Sequence, residues 1–68
     1  MNLVMLKEEG CRDVYIDPQT VESVQAAAGG KESIVYLKSG RKLIVTGRSA
    51  EIICKLKGIH SWRDAINL

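Results

Sequence analysis

The chain of 68 residues has few of the side chains that build metal sites and disulfide frameworks. It contains one histidine and two cysteines, Cys11 and Cys54, with no CxxC spacing. A structural zinc site takes a tetrahedral set of Cys and His ligands, which this inventory cannot supply. The same count excludes a disulfide framework. We therefore predict no metal and no cofactor, with both cysteines acting as small hydrophobic residues.

The chain also lacks a long hydrophobic segment. The apolar start, Met1 to Leu6, meets Lys7-Glu8-Glu9-Gly10 after too few residues for a secretory signal or a membrane span. We therefore expect no membrane insertion and a cytoplasmic location, where thiols stay reduced.

No group of residues has the spacing of a catalytic site. Asp13 and Asp17 flank a short β-rich segment, but nothing marks them as an acid/base pair, and solvated turn carboxylates are the simpler interpretation. His60, the lone histidine, is interpreted as a surface residue. The Gly29-Gly30 and Ser39-Gly40 pairs lack the spacing and the lysine of a phosphate-binding loop. The sequence predicts that the protein is not an enzyme.

What the chain does contain is a series of short β-rich segments separated by turn residues. Asp17-Pro18 ends one of them, because proline has no amide donor and forces its predecessor into an extended or turn conformation. The segment 21–26 fits either a strand or a helix, and we interpret it as a strand. The expected strands cover 3–7, 13–16, 21–26, 32–39 and 41–46.

From Ser49 onward the apolar residues take helical spacing, which predicts a helix over 49–57. Ser49 suits the N-cap, and Gly58 suits the position that ends a helix. The tail, 59–68, is either a second short helix or an ordered segment without one. The fold class is therefore α+β, in a single small domain over 1–68. It consists of a small antiparallel β-meander of about four strands, followed by one C-terminal helix and a short tail.

The hairpin "SIVYLKSGRKLIVTG", Ser33 to Gly47, is apolar on both faces. A two-residue turn at Ser39-Gly40 would place Ile34, Tyr36, Leu43 and Val45 on one face and Val35, Leu37 and Ile44 on the other. One helix cannot cover both faces, and which face it covers is left open. A chain this short buries little surface on folding, so an exposed apolar face would cost it stability. We predict a homo-oligomer whose interface contains Val35, Leu37 and Ile44.

The net charge of +2, from 10 basic and 8 acidic residues, is far from that of a non-specific nucleic-acid binder. Lys38, Arg41 and Lys42 nevertheless cluster at the predicted hairpin tip, and Arg48 precedes the helix. These four residues are candidates to contact nucleic-acid phosphates or an acidic partner. No aromatic residue is interleaved among them as a stacking platform, so a solvated turn is the simpler interpretation.

The stretch from Val14 to Leu56, "VYIDPQTVESVQ…ESIVYLKSGRKLIVTGRSAEIICKL", resembles two groups of bacterial proteins. One is the small FlbD-type flagellar proteins, which share a short β-meander, a glycine turn and a C-terminal helix. The other is the last part of LytTR-type DNA-binding domains, in which a "Y/L-x-x-G" hairpin and a helix-starting serine recur. The first resemblance implies a non-enzymatic accessory protein that acts through protein contacts. The second implies DNA contacts from loops and strand ends.

The function predicted from the sequence is a non-enzymatic protein-interaction or assembly module that self-associates through an apolar sheet face. The alternative is a small nucleic-acid-binding regulatory protein that uses the basic hairpin tip. Either function would fit a small bacterial or mobile-element protein.

Overall fold

The structure is a computed structural model, and it describes residues 3–58. It contains a five-stranded antiparallel sheet and one helix at the C-terminal end of the described chain. The elements are β1 (Val4–Glu8), β2 (Arg12–Ile16), a 3-10 turn (Pro18–Thr20), β3 (Val21–Ala26), β4 (Glu32–Leu37), β5 (Lys42–Thr46) and α1 (Ser49–Lys57). The predicted α+β class, the strand over 21–26 and the helix over 49–57 are confirmed. The five strands correspond to the five expected ranges, and the predicted tail over 59–68 lies outside the described residues.

The strand order is β2-β1-β5-β4-β3, so the sheet joins a hairpin to a three-stranded meander. The β1–β2 hairpin pairs Val4 with Ile16 at one end and Glu8 with Arg12 at the other. The two parts meet along a short seam, where Glu8 pairs with Val45 and the amide of Glu9 donates to the carbonyl oxygen of Ile44 at 2.9 Å. This seam brings residues from distant parts of the chain onto one surface.

The segment at Asp17-Pro18 forms the turn that the sequence predicts. The Asp17 carboxylate accepts a hydrogen bond from the amide of Gln19 at 3.0 Å, and the carbonyl oxygen of Asp17 accepts one from the amide of Thr20 at 2.9 Å. Pro18 occupies the start of the 3-10 turn, where its missing amide donor costs nothing. The turn carries the chain from β2 at one edge of the sheet to β3 at the other.

The turn between β4 and β5 differs from the expected two-residue turn. Lys38, Ser39 and Gly40 lie in a three-residue loop, closed by a hydrogen bond of 2.8 Å from the amide of Leu37 to the carbonyl oxygen of Arg41. Gly40 has a φ of 94°, the positive value that such a loop requires near its end. The extra residue moves β5 by one position against β4, so Ile34 now pairs with Ile44. A shift of one residue moves every side chain of β5 to the other face relative to β4, and the predicted pairing is therefore wrong.

The core lies between α1 and one face of the sheet. Its buried members come from β1, β2, β4, β5 and α1: Leu6, Ile16, Val35, Leu43, Val45 and Ile52. Helix α1 begins at Ser49 itself, with the extended residue Arg48 before it, so the predicted N-cap role of Ser49 is wrong. Gly58 ends the helix as predicted, since it has a φ of 74° and its amide donates to the carbonyl oxygens of Cys54 and Lys55.

A compact junction holds α1 over this face of the sheet. The hydroxyl of Ser33, which is fully buried, donates a hydrogen bond of 2.7 Å to the carbonyl oxygen of Gly47. Gly47 has a φ of 126°, and a Cβ atom at this position would lie 3.1 Å from Cδ1 of Ile52. The junction therefore requires glycine, and it fixes the point at which the chain leaves β5 for the helix.

Candidate functional site: the open face of the sheet

We call the sheet surface on the side opposite α1 the open face. Side chains alternate along each strand, so the neighbours of the core residues point to this surface. On β5, Leu43 and Val45 are buried against α1, whereas Lys42, Ile44 and Thr46 are exposed. The apolar members of the open face are Met5, Tyr15, Ile34, Tyr36 and Ile44.

These apolar residues form two patches. In the central patch, Ile34 and Ile44 are directly paired across β4 and β5, and Tyr36 follows on the same face of β4. Ile44 is 37% exposed despite its position in the middle of the sheet. In the corner patch, Met5 and Tyr15 are paired across β1 and β2 and are 43% and 61% exposed. Large apolar side chains that share one exposed surface are typical of an interaction site.

A charged pair lies on the open face between the corner patch and the β1–β2 turn. The Nζ atom of Lys7 is 2.7 Å from Oδ1 of Asp13, and both side chains are about half exposed. The Asp13 carboxylate raises the pKa of Lys7 above its ordinary value, first by accepting this hydrogen bond and then by its negative charge. The two charges therefore compensate each other within one molecule.

The three residues predicted as an oligomer interface do not share a face. Val35 is fully buried, and Leu37 packs against the same core beneath α1. Only Ile44 lies on the open face. The cause is the register shift, which brings Ile44 beside Ile34 and Tyr36, two residues that the sequence placed on the opposite side. The interface prediction is corrected accordingly: the open face carries Ile44 with Ile34 and Tyr36.

The corner patch was missed by the sequence analysis. Met5 and Tyr15 meet only because the β1–β2 hairpin pairs them. The segments Val4-Met5-Leu6 and Val14-Tyr15-Ile16 are apolar at every position, so neither shows by itself which of its side chains face outward. The pairing between them, rather than either segment alone, shows which residues face outward.

Three of the four predicted basic residues come together. Lys38 and Arg41 are exposed at the β4–β5 turn, and Lys42 is exposed on the open face, opposite Tyr36. Arg48 lies at the other end of β5, beside Lys31, with which it lines an open depression of about 460 Å³. The two groups of positive charge are thus separated by the length of the hairpin.

The carboxylates of the described residues are dispersed or already engaged. Within residues 3–58, no group of three or more His, Cys, Asp and Glu side chains is placed to hold a metal ion. Asp13 is engaged by Lys7, and Asp17 accepts its hydrogen bond from Gln19. No helix in that range is long and apolar enough to cross a membrane.

No family model matches this chain, and neither does any curated protein or solved structure. The resemblances to FlbD-type proteins and LytTR-type domains therefore stay predictions. A function for the protein has to be argued from the chemistry of its own surfaces, because a small sheet with one helix serves many roles.

Proposed function

We propose that the protein is a small non-enzymatic interaction module that self-associates through the open face. The observation that carries this proposal is the direct pairing of Ile34 with Ile44, beside Tyr36, on the sheet surface opposite the only helix within residues 3–58. An accessory or assembly role, as the FlbD-type resemblance implies, is part of the same proposal. So is a cytoplasmic location, which fits two free thiols, one of them exposed at Cys11.

The small size of the core supports a second copy of this chain as the occupant of the open face. Only six large hydrophobic residues of the described chain form the buried cluster. Small domains with so little core often gain stability by oligomerisation. A second copy that covered the open face would bury further apolar surface, and each Å² of this surface would stabilise the assembly by roughly 25 cal/mol.

The dimensions of the molecule allow such an interface. The protein is flat, with extents of 32 × 31 × 20 Å. A standard protein interface takes about 800 Å² from each partner, which a face of this breadth can supply. A two-fold axis through the central patch would place the same residues on both sides of the contact.

The charges of the open face are compatible with self-association. Burying an unpaired charge would be costly, but Lys7 brings its partner Asp13 with it. Glu32 and Lys42 also lie on the open face, at opposite ends of the paired strands β4 and β5. Both charges therefore flank the central patch and can remain in water at its edge.

Sedimentation at micromolar concentration tests the proposal, with Ile44→Lys as the disrupting variant. We expect the wild-type chain to sediment above its monomer mass of 7.5 kDa and the variant to sediment as a folded monomer. Ala28→Lys is the matched control, because it adds the same charge at an exposed loop position away from the open face and should leave the assembly intact. A wild-type chain that stays monomeric at every concentration would refute self-association.

A second candidate function is nucleic-acid binding, and the observation that favours it is the grouping of Lys38, Arg41 and Lys42 at one end of the hairpin. Such a tip can contact phosphates, and the resulting affinity falls steeply with salt. The test is titration with mixed-sequence DNA and RNA at low and moderate salt. Binding that is lost when the three residues are replaced by alanine, but kept in an Arg48→Ala control, would support this function. No binding at low salt would exclude it.

A further inference from the structure

The sheet has two edge strands, and only one of them is regular. Within residues 3–58, β2 pairs with β1 alone and β3 pairs with β4 alone, so each of them leaves one side of its main chain open. The pairing of β3 is interrupted by a register shift between Val21 and Ser23. Irregularities of this kind protect an edge strand from further pairing. The pairing of β2 is continuous along the whole strand, so β2 is the edge that can accept another strand.

The outward main-chain groups of β2 belong to Asp13 and Tyr15. The amide of Glu9 points to β5, where it donates a hydrogen bond of 2.9 Å, so the preceding residue Glu8 points to β2. Glu8 pairs with Arg12, and the direction alternates along antiparallel strands, so Asp13 and Tyr15 point away from β1. Their amides and carbonyl oxygens have no hydrogen-bond partner among the described residues. An added extended strand supplies donors and acceptors at this spacing.

The charges that protect many natural edge strands are weak on β2. The carboxylate of Asp13 is already compensated, since it lies 2.7 Å from Nζ of Lys7 on β1 of the same molecule. The next residue on the same face is Tyr15, whose ring is exposed. Arg12 is also exposed, but it lies at the end of the strand and its charge can stay in water. A strand laid along β2 therefore meets no uncompensated charge at its centre.

The sequence of β2 selects one register for pairing with a second copy of itself. Two identical antiparallel strands pair about a two-fold axis, and the residue on this axis sets the register. With Val14 on the axis, every residue of β2 is paired, and Asp13 lies opposite Tyr15 of the second copy. Moving the axis by one residue in either direction shortens the overlap and places Asp13 opposite Asp13 or Asp17 of the second copy. Like charges directly opposite each other are destabilising, so the register centred on Val14 is favoured.

Pairing in this register also joins the corner patches of the two copies. Tyr15 lies on the open face beside Met5, and both side chains are exposed. Across the axis, Tyr15 of one copy is the diagonal neighbour of Tyr15 of the other, a separation that aromatic side chains can span. The two corner patches then form one apolar surface on the joined sheet. The edge contact thus gives a role to exposed residues that lie outside the central patch.

We propose that two copies of the chain pair along β2, antiparallel and centred on Val14, so that their sheets join into one continuous sheet. This contact uses the edge of the sheet, whereas the proposed self-association uses its open face, so neither depends on the other. A strand of this length spans about 17 Å and covers less than the roughly 800 Å² per partner of a standard interface. The edge contact is therefore the weaker of the two, and it forms above the micromolar range in which Ile44→Lys is expected to be monomeric. A chain with both contacts links pairs of molecules into larger assemblies.

The first test uses the Ile44→Lys variant, which removes the open-face contact, at the millimolar concentration of an NMR sample. Labelled and unlabelled chains are mixed, and only contacts between molecules are recorded. Because Val14 faces its counterpart as a non-hydrogen-bonded pair, we expect a contact between the α-protons of Val14 in the two copies. The absence of this contact, or intermolecular contacts along β3 in its place, would overturn the proposal. Wild-type contacts at Ile34 and Ile44 without the Val14 contact would refute the edge contact alone, and the reverse result would refute the open-face contact alone.

The second test compares Tyr15→Pro with Tyr15→Ala in the Ile44→Lys background. Both substitutions remove the ring, but only proline removes the outward amide, which takes no part in the pairing with β1. We expect the proline variant to lose the Val14 contact and the alanine variant to keep it. A proline variant that keeps the contact would contradict the proposal.

Amide hydrogen exchange tests the same contact without a substitution on β2. The amides of Asp13 and Tyr15 should become protected as the protein concentration rises from micromolar to millimolar, because the second copy supplies their acceptors. The amides of Val24 and Ala26, which point outward from the other edge strand, are the matched control and should not change. Exchange at Asp13 and Tyr15 that is independent of concentration would overturn the proposal.

Discussion

Both faces of the sheet carry large apolar side chains, but the surroundings of these side chains differ. On adjacent positions of β5, Leu43 is 8% exposed and Ile44 is 37% exposed; on β1, Leu6 is fully buried and Met5 is 43% exposed. The helix accounts for this difference, since α1 packs on only one side. Within the described residues, the one α-helix covers one apolar face of the sheet and leaves the large side chains of the other exposed.

The largest expected difference between the two faces comes from placing a lysine on each face of β4 in turn. Val35→Lys would bury a charge beneath α1, at a cost of several kcal/mol that is comparable to the stability of a small domain. Ile34→Lys, one residue earlier, would place the same charge on the open face, where it can reach water. We expect the first variant to be unfolded and the second to be folded and monomeric, by circular dichroism and sedimentation. The register expected from the sequence gives the reverse result, a folded Val35→Lys and an unfolded Ile34→Lys.

A truncation of neighbouring residues on β1 measures the same contrast without adding charge. Leu6→Ala removes a fully buried side chain and should lower the free energy of unfolding by about 2–5 kcal/mol. Met5→Ala removes a side chain that is 43% exposed and should cost about 1 kcal/mol or less in the monomer. Urea denaturation at a low, fixed protein concentration separates this effect from association. Equal losses for the two variants would mean that β1 has no preferred face.

The junction at Gly47 contributes to the difference between the two faces, because it directs the chain from β5 to the helix on the covered face. Gly47→Ala should destabilise the fold by about 1–3 kcal/mol, through its positive φ and the contact with Ile52. Gly10→Ala is the control: Gly10 also has a positive φ, of 88°, but a Cβ atom there would meet nothing within 4 Å. A larger loss for Gly10→Ala, measured by thermal unfolding, would show that the contact with Ile52 has no effect.

The smallest expected effect concerns the charged pair on the open face. Because Asp13 raises the pKa of Lys7, the pair stabilises the fold below the unfolded pKa of lysine, about 10.4, and this contribution is lost as the pH rises through the higher folded value. The difference in unfolding free energy between wild type and Lys7→Gln should therefore be constant near neutral pH and shrink above about pH 10.4. Exposure to water keeps it small. Asp13→Asn should remove the same pH dependence, and a difference that grows with alkaline pH would show that the sign is wrong.

Local patterns in the sequence were sufficient for several elements. The helix over 49–57 followed from apolar spacing that starts after Arg48 and from Gly58, which permits the left-handed end. The turn at Asp17-Pro18 followed from the restrictions that proline imposes. These features depend on neighbouring residues in the chain, so one sequence carries enough information to predict them.

The register of the hairpin could not be predicted in the same way. Lys38-Ser39-Gly40 accommodates either a two-residue or a three-residue loop, and hydrophobic patterning selects a register only when one face is polar. Here Ile34-Val35-Tyr36-Leu37 and Leu43-Ile44-Val45 are apolar at every position, so both registers bury apolar side chains. The seam between β1 and β5 pairs Glu8 with Val45, residues distant in sequence, so no local pattern predicts it.

The central claim is that a second copy of this chain covers the open face. Isotope-filtered nuclear Overhauser spectroscopy on a mixture of labelled and unlabelled wild-type protein tests it most directly, because it detects only contacts between molecules. The account predicts intermolecular contacts from the methyl groups of Ile34 and Ile44 and from the ring of Tyr36. Contacts confined to other surfaces, or a monomer with none, would contradict it.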